Sequence, residues 1–275
     1  MSIAPLVRVT PDGSRTDQDL VAVEAPLTIE VLHQSNPPEP GPHLLPLGVF
    51  MRTPGDDEAL GMGLLYAEGV VRRAADVRSM ELTMDSDGVS GTLRATLAPD
   101  VVVDTAALAR SGASSTACGL CGRLSFGVRP ATAVANIGNQ FDELIPDFTN
   151  LIFQLPDRLR DAQAVFAKTG GLHAAGFFDR AGRLVDIAED VGRHNAVDKL
   201  VGRALIAGGP LPPARDRILV VSGRAAYEII QKAAMAGVGT LVAVGAPTSL
   251  AVQAAREAGI TLIGFAKDKS YNIYG

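Results

Sequence analysis

Residues 217–265 read RILVVSGRAAYEIIQKAAMAGVGTLVAVGAPTSLAVQAAREAGITLIGF, and this stretch decides the fold. Arg217 to Val221 is rich in branched apolar residues without alternation, as in a strand buried on both faces. Ala225 to Ala236 reads as a helix and Thr240 to Val244 as a second apolar strand. Ser249 to Ala258 is a second helix and Thr261 to Phe265 a third strand. Strand and helix in regular alternation predict a layered α/β sheet, largely parallel in this half of the chain.

Working upstream, Arg193 to Ala207 reads as a helix. Leu172 to Asp179, a turn at Arg180 to Arg183, and Leu184 to Ala188 make a hairpin. Leu159, Ala162, Val165 and Phe166 form one helical face, closed by Thr169-Gly170-Gly171. The first third of the chain reads as short strands, with Leu6 to Val9 and Thr28 to Leu32 the clearest. Five prolines between Asn36 and Pro46 predict an irregular loop there. Thr53 to Glu58 opens a helix whose buried stripe is Leu60, Leu64, Leu65 and Tyr66, ending at Gly69. Met80 to Thr83 and Gly91 to Leu97 read as a hairpin around Asp87-Gly88. Thr105 to Leu155 carries a weak pattern. The expected division is a strand-rich N-terminal subdomain over 1–110, a connecting region with a mobile loop over 111–155, and an α/β domain over 156–275.

The chain has 275 residues, 47% hydrophobic and 20% charged, with a net charge of −5. That balance argues against broad affinity for nucleic acid or anionic membrane. The N-terminus lacks the pattern of a signal peptide, and no run of about 18 apolar residues predicts a bilayer span. A cytoplasmic protein is the expectation.

Both cysteines of the chain lie in Cys118-Gly119-Leu120-Cys121, within a polar stretch of small residues that begins at Ser111. Two residues between sulfurs suit a reducible disulfide, half a metal site, or two thiols that pass a group between them. Zinc is not expected, since a closed site needs four ligands and a deaminase site needs His-x-Glu and Pro-Cys-x-x-Cys, which the sequence lacks. A thioredoxin-like motif would follow a strand, and none is evident before Ser111. Thiol chemistry on a mobile loop remains, through Cys118 and Cys121.

Glu189 to Leu200 packs Asp190, Arg193, His194 and Asn195 into a strand-to-helix junction. Asp190 reads as the helix cap. A helix N-terminus and a guanidinium favour an anion, so Arg193 and His194 are candidate ligand residues, although His194 also suits a structural role. Ser222-Gly223-Arg224 and Pro247-Thr248-Ser249 each follow an apolar strand and precede a helix, and Phe265 to Ser270 leaves the last strand. Loops at the carboxyl ends of parallel strands are where such sheets bind ligands, so these form one candidate ligand-binding rim.

The Cys118 to Gly122 motif, the Glu189 to Lys199 block, Ser222 to Arg224 with Gln231 to Ala234, Ala246 to Val252, Gly264-Phe265 with Asn272 to Tyr274, and Arg52 to Glu58 with Glu68-Gly69 together resemble the FdhD family. The resemblance covers the chain from about Pro26 to its last residue. It implies a cytidine-deaminase-like fold without the zinc machinery, and a homodimer. It implies a sulfur carrier that takes sulfur from a cysteine desulfurase as a persulfide and delivers it to the molybdenum cofactor, bis(molybdopterin guanine dinucleotide), for formate dehydrogenase. On that resemblance Cys118 is the carrier and Cys121 a relay or second carrier. Phe265, Ala266, Lys267, Asp268, Lys269 and Ser270 match the cofactor-binding segment, with GDP as a mimic of the cofactor's nucleotide end. Lys267 stands where many members have arginine, which keeps the charge but loses the planar fork. Two other classes stay open: a thiol-disulfide oxidoreductase, and a nucleotide-binding chaperone with incidental cysteines.

Overall fold

Each strand of the central sheet turns alternate side chains to opposite faces, and both faces are covered. In a computed structural model the described residues are 1–34, 41–103, 145–267 and 270–274. The chain first forms a two-stranded hairpin, β1 (Ser2–Thr10) and β2 (Gly13–Val21). A four-stranded sheet follows, ordered β4 (Pro42–Arg52), β3 (Ala25–Gln34), β6 (Gly91–Leu97), β5 (Val77–Met84). Between β4 and β5 lies helix α1 (Asp57–Ala67). Helices α2 (Ile145–Asp161) and α3 (Phe166–Thr169) lead into the second sheet.

That sheet has six strands in the order β12 (Ser270–Ile273), β11 (Thr261–Lys267), β10 (Thr240–Ala243), β9 (Ile218–Val221), β7 (His173–Phe178), β8 (Leu184–Asp190). Strands β9, β10 and β11 are parallel, whereas β7, β8 and β12 join antiparallel. Helices α4 (Arg193–Ile206), α5 (Tyr227–Ala236) and α6 (Ser249–Ala258) pack with α1 between the two sheets. Leu219 and Val221 of β9 face that helical layer, while Ile218 and Val220 face α2 through Ile152, Leu155 and Leu159. The result is sheet, helices, sheet, helix. The mixed α/β class expected from residues 217–265 is observed.

The α1–α4 contact is closer than ordinary helix packing allows. A Cβ added at Gly63 would overlap the Asp198 carbonyl, and one at Gly202 the Ala59 carbonyl. The two glycines let the backbones touch, which welds the first sheet's helix to the second sheet's.

Three expectations need correction. The proline-rich stretch from Asn36 to Pro46 is not wholly a loop, because Pro42 and Pro46 lie in β4. β4 is an edge strand, where a missing N–H costs nothing on the outer side. The helical face from Leu159 to Phe166 spans two helices instead of one. Both carboxylate oxygens of Glu189 accept from the Val165 and Phe166 amides, at 3.0 and 2.8 Å, and start α3 as a new turn. Asp190 does not cap α4, whose N-cap is Gly192. Its carboxylate is fully buried and occupied elsewhere. The mobile loop expected at 111–124 lies outside the described residues.

Candidate functional site

The register of the parallel strands brings the loops after β9 and β10 to one level. Val221 pairs with Ala243, and Val242 with Ile263, so β9 and β10 end together, while β11 runs on to Lys267 and turns into β12; the segment expected to leave the last strand at Phe265 is therefore strand as far as Lys267. Gly245 stitches the loops: its N–H donates to Gly223 O at 3.0 Å and its carbonyl accepts from Phe265 N at 3.1 Å. Ala225 N donates to Ala246 O at 3.2 Å and Thr248 N to Ala225 O at 3.1 Å. A Cβ at Gly245 would stand 3.0 Å from Arg224 N and from Gly223 O, and one at Gly264 would stand 2.8 Å from Pro247 Cδ. At Gly245 the loops approach backbone to backbone, and at Gly264 the Pro247 and Tyr274 rings fill the space a side chain would take.

The structure thus brings Ser222 to Arg224, Pro247 to Ser249 and Phe265 to one rim. Their side chains differ in freedom. Ser222 Oγ accepts from Ala174 N at 2.9 Å, so this hydroxyl is engaged with β7. Thr248 caps α6, its Oγ1 accepting from Ala251 N at 3.3 Å. Arg224, Ser249, Lys267 and Ser270 are exposed, and Pro247 is partly exposed. Ala266 is buried beneath the rim and turns its side chain into the core. Phe265 is 41% exposed and holds a left-handed backbone with φ 55°, uncommon for an aromatic residue and a mark of a constrained position. Asp268 and Lys269, like Cys118 and Cys121, lie outside the described residues.

Arg193 reaches the same rim from α4. A Cβ on Gly223 would lie 3.6 Å from Arg193 Cδ, and Arg193 Nε is buried with no acceptor among the described residues. His194 turns toward α5, its Nε2 3.8 Å from Glu228 Oε2. The structure adds a residue that the sequence did not single out. His173, half-buried at the start of β7, stands beside Gly223 and Arg193. Burial and the Arg193 charge hold its imidazole below the usual histidine range, with Asp190 pulling the other way. A neutral imidazole beside a guanidinium can donate one hydrogen bond and accept another.

A buried latch sets the junction that carries Arg193. Asp190 Oδ1 accepts from Gly192 N at 2.8 Å and Asn195 Nδ2 at 2.9 Å. Its Oδ2 accepts from Thr53 N at 3.1 Å and lies 2.7 Å from Lys199 Nζ. Lys199 also donates to Thr53 O at 2.8 Å, and Val191 N to Thr53 Oγ1 at 3.1 Å. Thr53 of the Arg52 to Glu58 motif thus meets Asp190, Asn195 and Lys199 of the Glu189 to Lys199 motif in one place, with Asn195 also donating to Met51 O. One turn farther along α4, Asp198 pairs with Lys232 at 2.7 Å, yet burial pushes its carboxyl up to about 6. Periodicity could not find His173 or the Thr53–Asp190 contact, because both depend on residues remote in sequence.

Among the described residues no group of three or more His, Cys, Asp or Glu side chains gathers as a metal ion would need. No helix among them is long and apolar enough to cross a membrane. The rim can hold an anion: Arg193 supplies fixed charge, and its Nε–H has no acceptor among the described residues.

The model of the FdhD/NarQ family matches residues 23–275. The chain is 44% identical over 274 residues to a curated sulfur carrier protein FdhD of Streptomyces avermitilis, covering 98% of this chain and 92% of that one. It is 38% identical over 269 residues to a sulfur carrier protein FdhD of Saccharolobus solfataricus, covering 98% and 94%. A crystal structure of a candidate formate dehydrogenase accessory protein from Desulfotalea psychrophila superposes with a TM-score of 0.67 at 21% identity, covering 100% of this chain and 96% of that one. At that identity the superposition speaks for the fold alone.

Proposed function

This chain belongs to the FdhD/NarQ family, and on that premise we propose that it is a sulfur carrier serving formate dehydrogenase. The observation that carries the reading is the similarity to curated sulfur carriers over 274 residues, a length that spans both the thiol segment and the rim. The chemistry falls to the two thiols. The Cys118 thiolate attacks the sulfane sulfur of a persulfide on a cysteine desulfurase. One S–S bond forms as the other breaks, the donor leaves as a thiolate, and Cys118 holds the persulfide. Cys121 serves as relay or second carrier.

The molybdenum cofactor, as bis(molybdopterin guanine dinucleotide), is the intended recipient and supplies the metal centre that takes the sulfur. The rim suits its phosphates. Arg193 offers a guanidinium whose Nε–H has no acceptor among the described residues, Lys267 and Arg224 add exposed cations, and the Phe265 side chain is exposed. In this reading Arg193, Ser222 to Arg224, Pro247 to Ser249 and Phe265 to Ser270 hold the guanine nucleotide end, and GDP is its mimic. The proposal extends to a cytidine-deaminase-like α/β domain, a homodimer, and a cytoplasmic site of action.

Intact-mass analysis after incubation with a cysteine desulfurase and L-cysteine tests the carrier role. The expected result is one added sulfur atom on the peptide that contains Cys118 and Cys121, removable by reductant. No added sulfur under conditions that load a known carrier contradicts the proposal.

A further inference from the structure

The residue after His173 is tied to the β9 loop by two hydrogen bonds. Ala174 N donates to Ser222 Oγ at 2.9 Å, and Ser222 N donates to Ala174 O at 3.0 Å. A Cβ on Gly223 would lie 3.4 Å from His173 Nδ1 and 3.5 Å from His173 Cε1, against 3.6 Å from Arg193 Cδ. The imidazole edge and the arginine stem therefore converge above a single glycine. Arg193 Nε is buried there without an acceptor among the described residues, a state that costs free energy unless a ligand supplies one.

We propose that His173 is a ligand-contacting, specificity-determining residue of the rim: with Arg193 it forms a two-sided seat above Gly223 for an oxyanion of the phosphate or sulfate class. This rests on the reading of the rim as an anion-binding face and names the residue that discriminates within it. Arg193 gives permanent charge. His173 gives a hydrogen bond when neutral and a second positive charge when protonated. An oxyanion placed between them offsets the repulsion that Arg193 exerts on the imidazole, so binding takes up a proton. By linkage, affinity rises as pH falls. The charged groups that bear on His173 are Arg193 from α4, which opposes its protonation, and Asp190 from β8, which favours it.

Sulfate is the probe, because it stays a dianion over the whole range and its own titration does not enter. Calorimetry on the full chain at about pH 5.5 and about pH 8, on either side of the ordinary imidazole range, should show severalfold tighter binding at the lower pH. His173→Gln should keep the weaker affinity at both pH values, and Arg193→Gln should bind at neither. The His173 Cε1 proton, followed by NMR in the unmodified chain, should titrate at higher pH when sulfate is present, which needs no variant to fold. An equal pH response in His173→Gln, an unshifted imidazole midpoint, or no sulfate binding by the unmodified chain would overturn the proposal. GDP separates the two readings. Heat from GDP with sulfate binding indifferent to His173 leaves the nucleotide site standing and removes the seat. His173-dependent sulfate binding without heat from GDP keeps the seat and removes the nucleotide.

Discussion

Asp190 takes donors from its own turn, from α4 and from the Arg52 to Glu58 motif, and none of its surface meets solvent. Removing it leaves the Lys199 ammonium buried and unpaired. Asp190→Ala should cost about 3–5 kcal/mol, the usual penalty for orphaning a buried charge, read as a lower denaturant midpoint. A change below about 1 kcal/mol would show that the latch is not closed in solution. Asp198 makes a prediction about pH. Its folded pKa of about 6 lies above the ordinary 3.8, so between those values the folded state holds a proton that the unfolded state has released. Its contribution to stability is complete below about pH 4 and is lost as pH rises through about 6. Comparison of unfolding free energies for the unmodified chain and Asp198→Asn across that window should show this downward slope only in the former. Identical slopes would refute it.

At the scale of elements, the α1–α4 weld rests on Gly63 and Gly202, each facing a carbonyl of the other helix. Backbone has little room to yield, so Gly63→Ala and Gly202→Ala should each destabilise by about 1–3 kcal/mol, although alanine is the better helix former. Thermal unfolding reads this directly, and a stabilised alanine variant would contradict the close approach. The same elements show what sequence could reveal. Helices α4, α5 and α6 lie within two residues of their expected bounds, because their apolar periodicity and their glycine stops at Gly237 and Gly259 are local signals. β4 was hidden because its prolines are turn signals everywhere except on an edge strand. The start of α2 lay within a stretch whose pattern is weak. The division of α2 from α3 depends on Glu189, more than twenty residues downstream.

At the scale of the molecule, a layer of four helices, α1, α4, α5 and α6, joins two sheets, and the rim opens where β9 and β10 end, beside β11. The two loops of that rim after β9 and β10 were legible because strand, small residues and helix recur in order, whereas β11 turns into β12 without a helix. Their division of labour was not, since a serine engaged with β7 and a threonine that caps a helix look like ligand residues until their partners are placed. GDP at millimolar concentration should release or take up heat and raise the melting temperature. Silence in both would remove the nucleotide from the rim. The central claim is sulfur transfer through the thiol pair, and the most direct measurement is formate dehydrogenase activity in cells whose only copy of this chain carries Cys118→Ala, Cys121→Ala, or both. Cys118→Ala and the double variant should abolish client activity with fold and GDP binding retained, and Cys121→Ala should reduce it less. A fully active client in cells that carry only the double variant would contradict sulfur transfer by this chain.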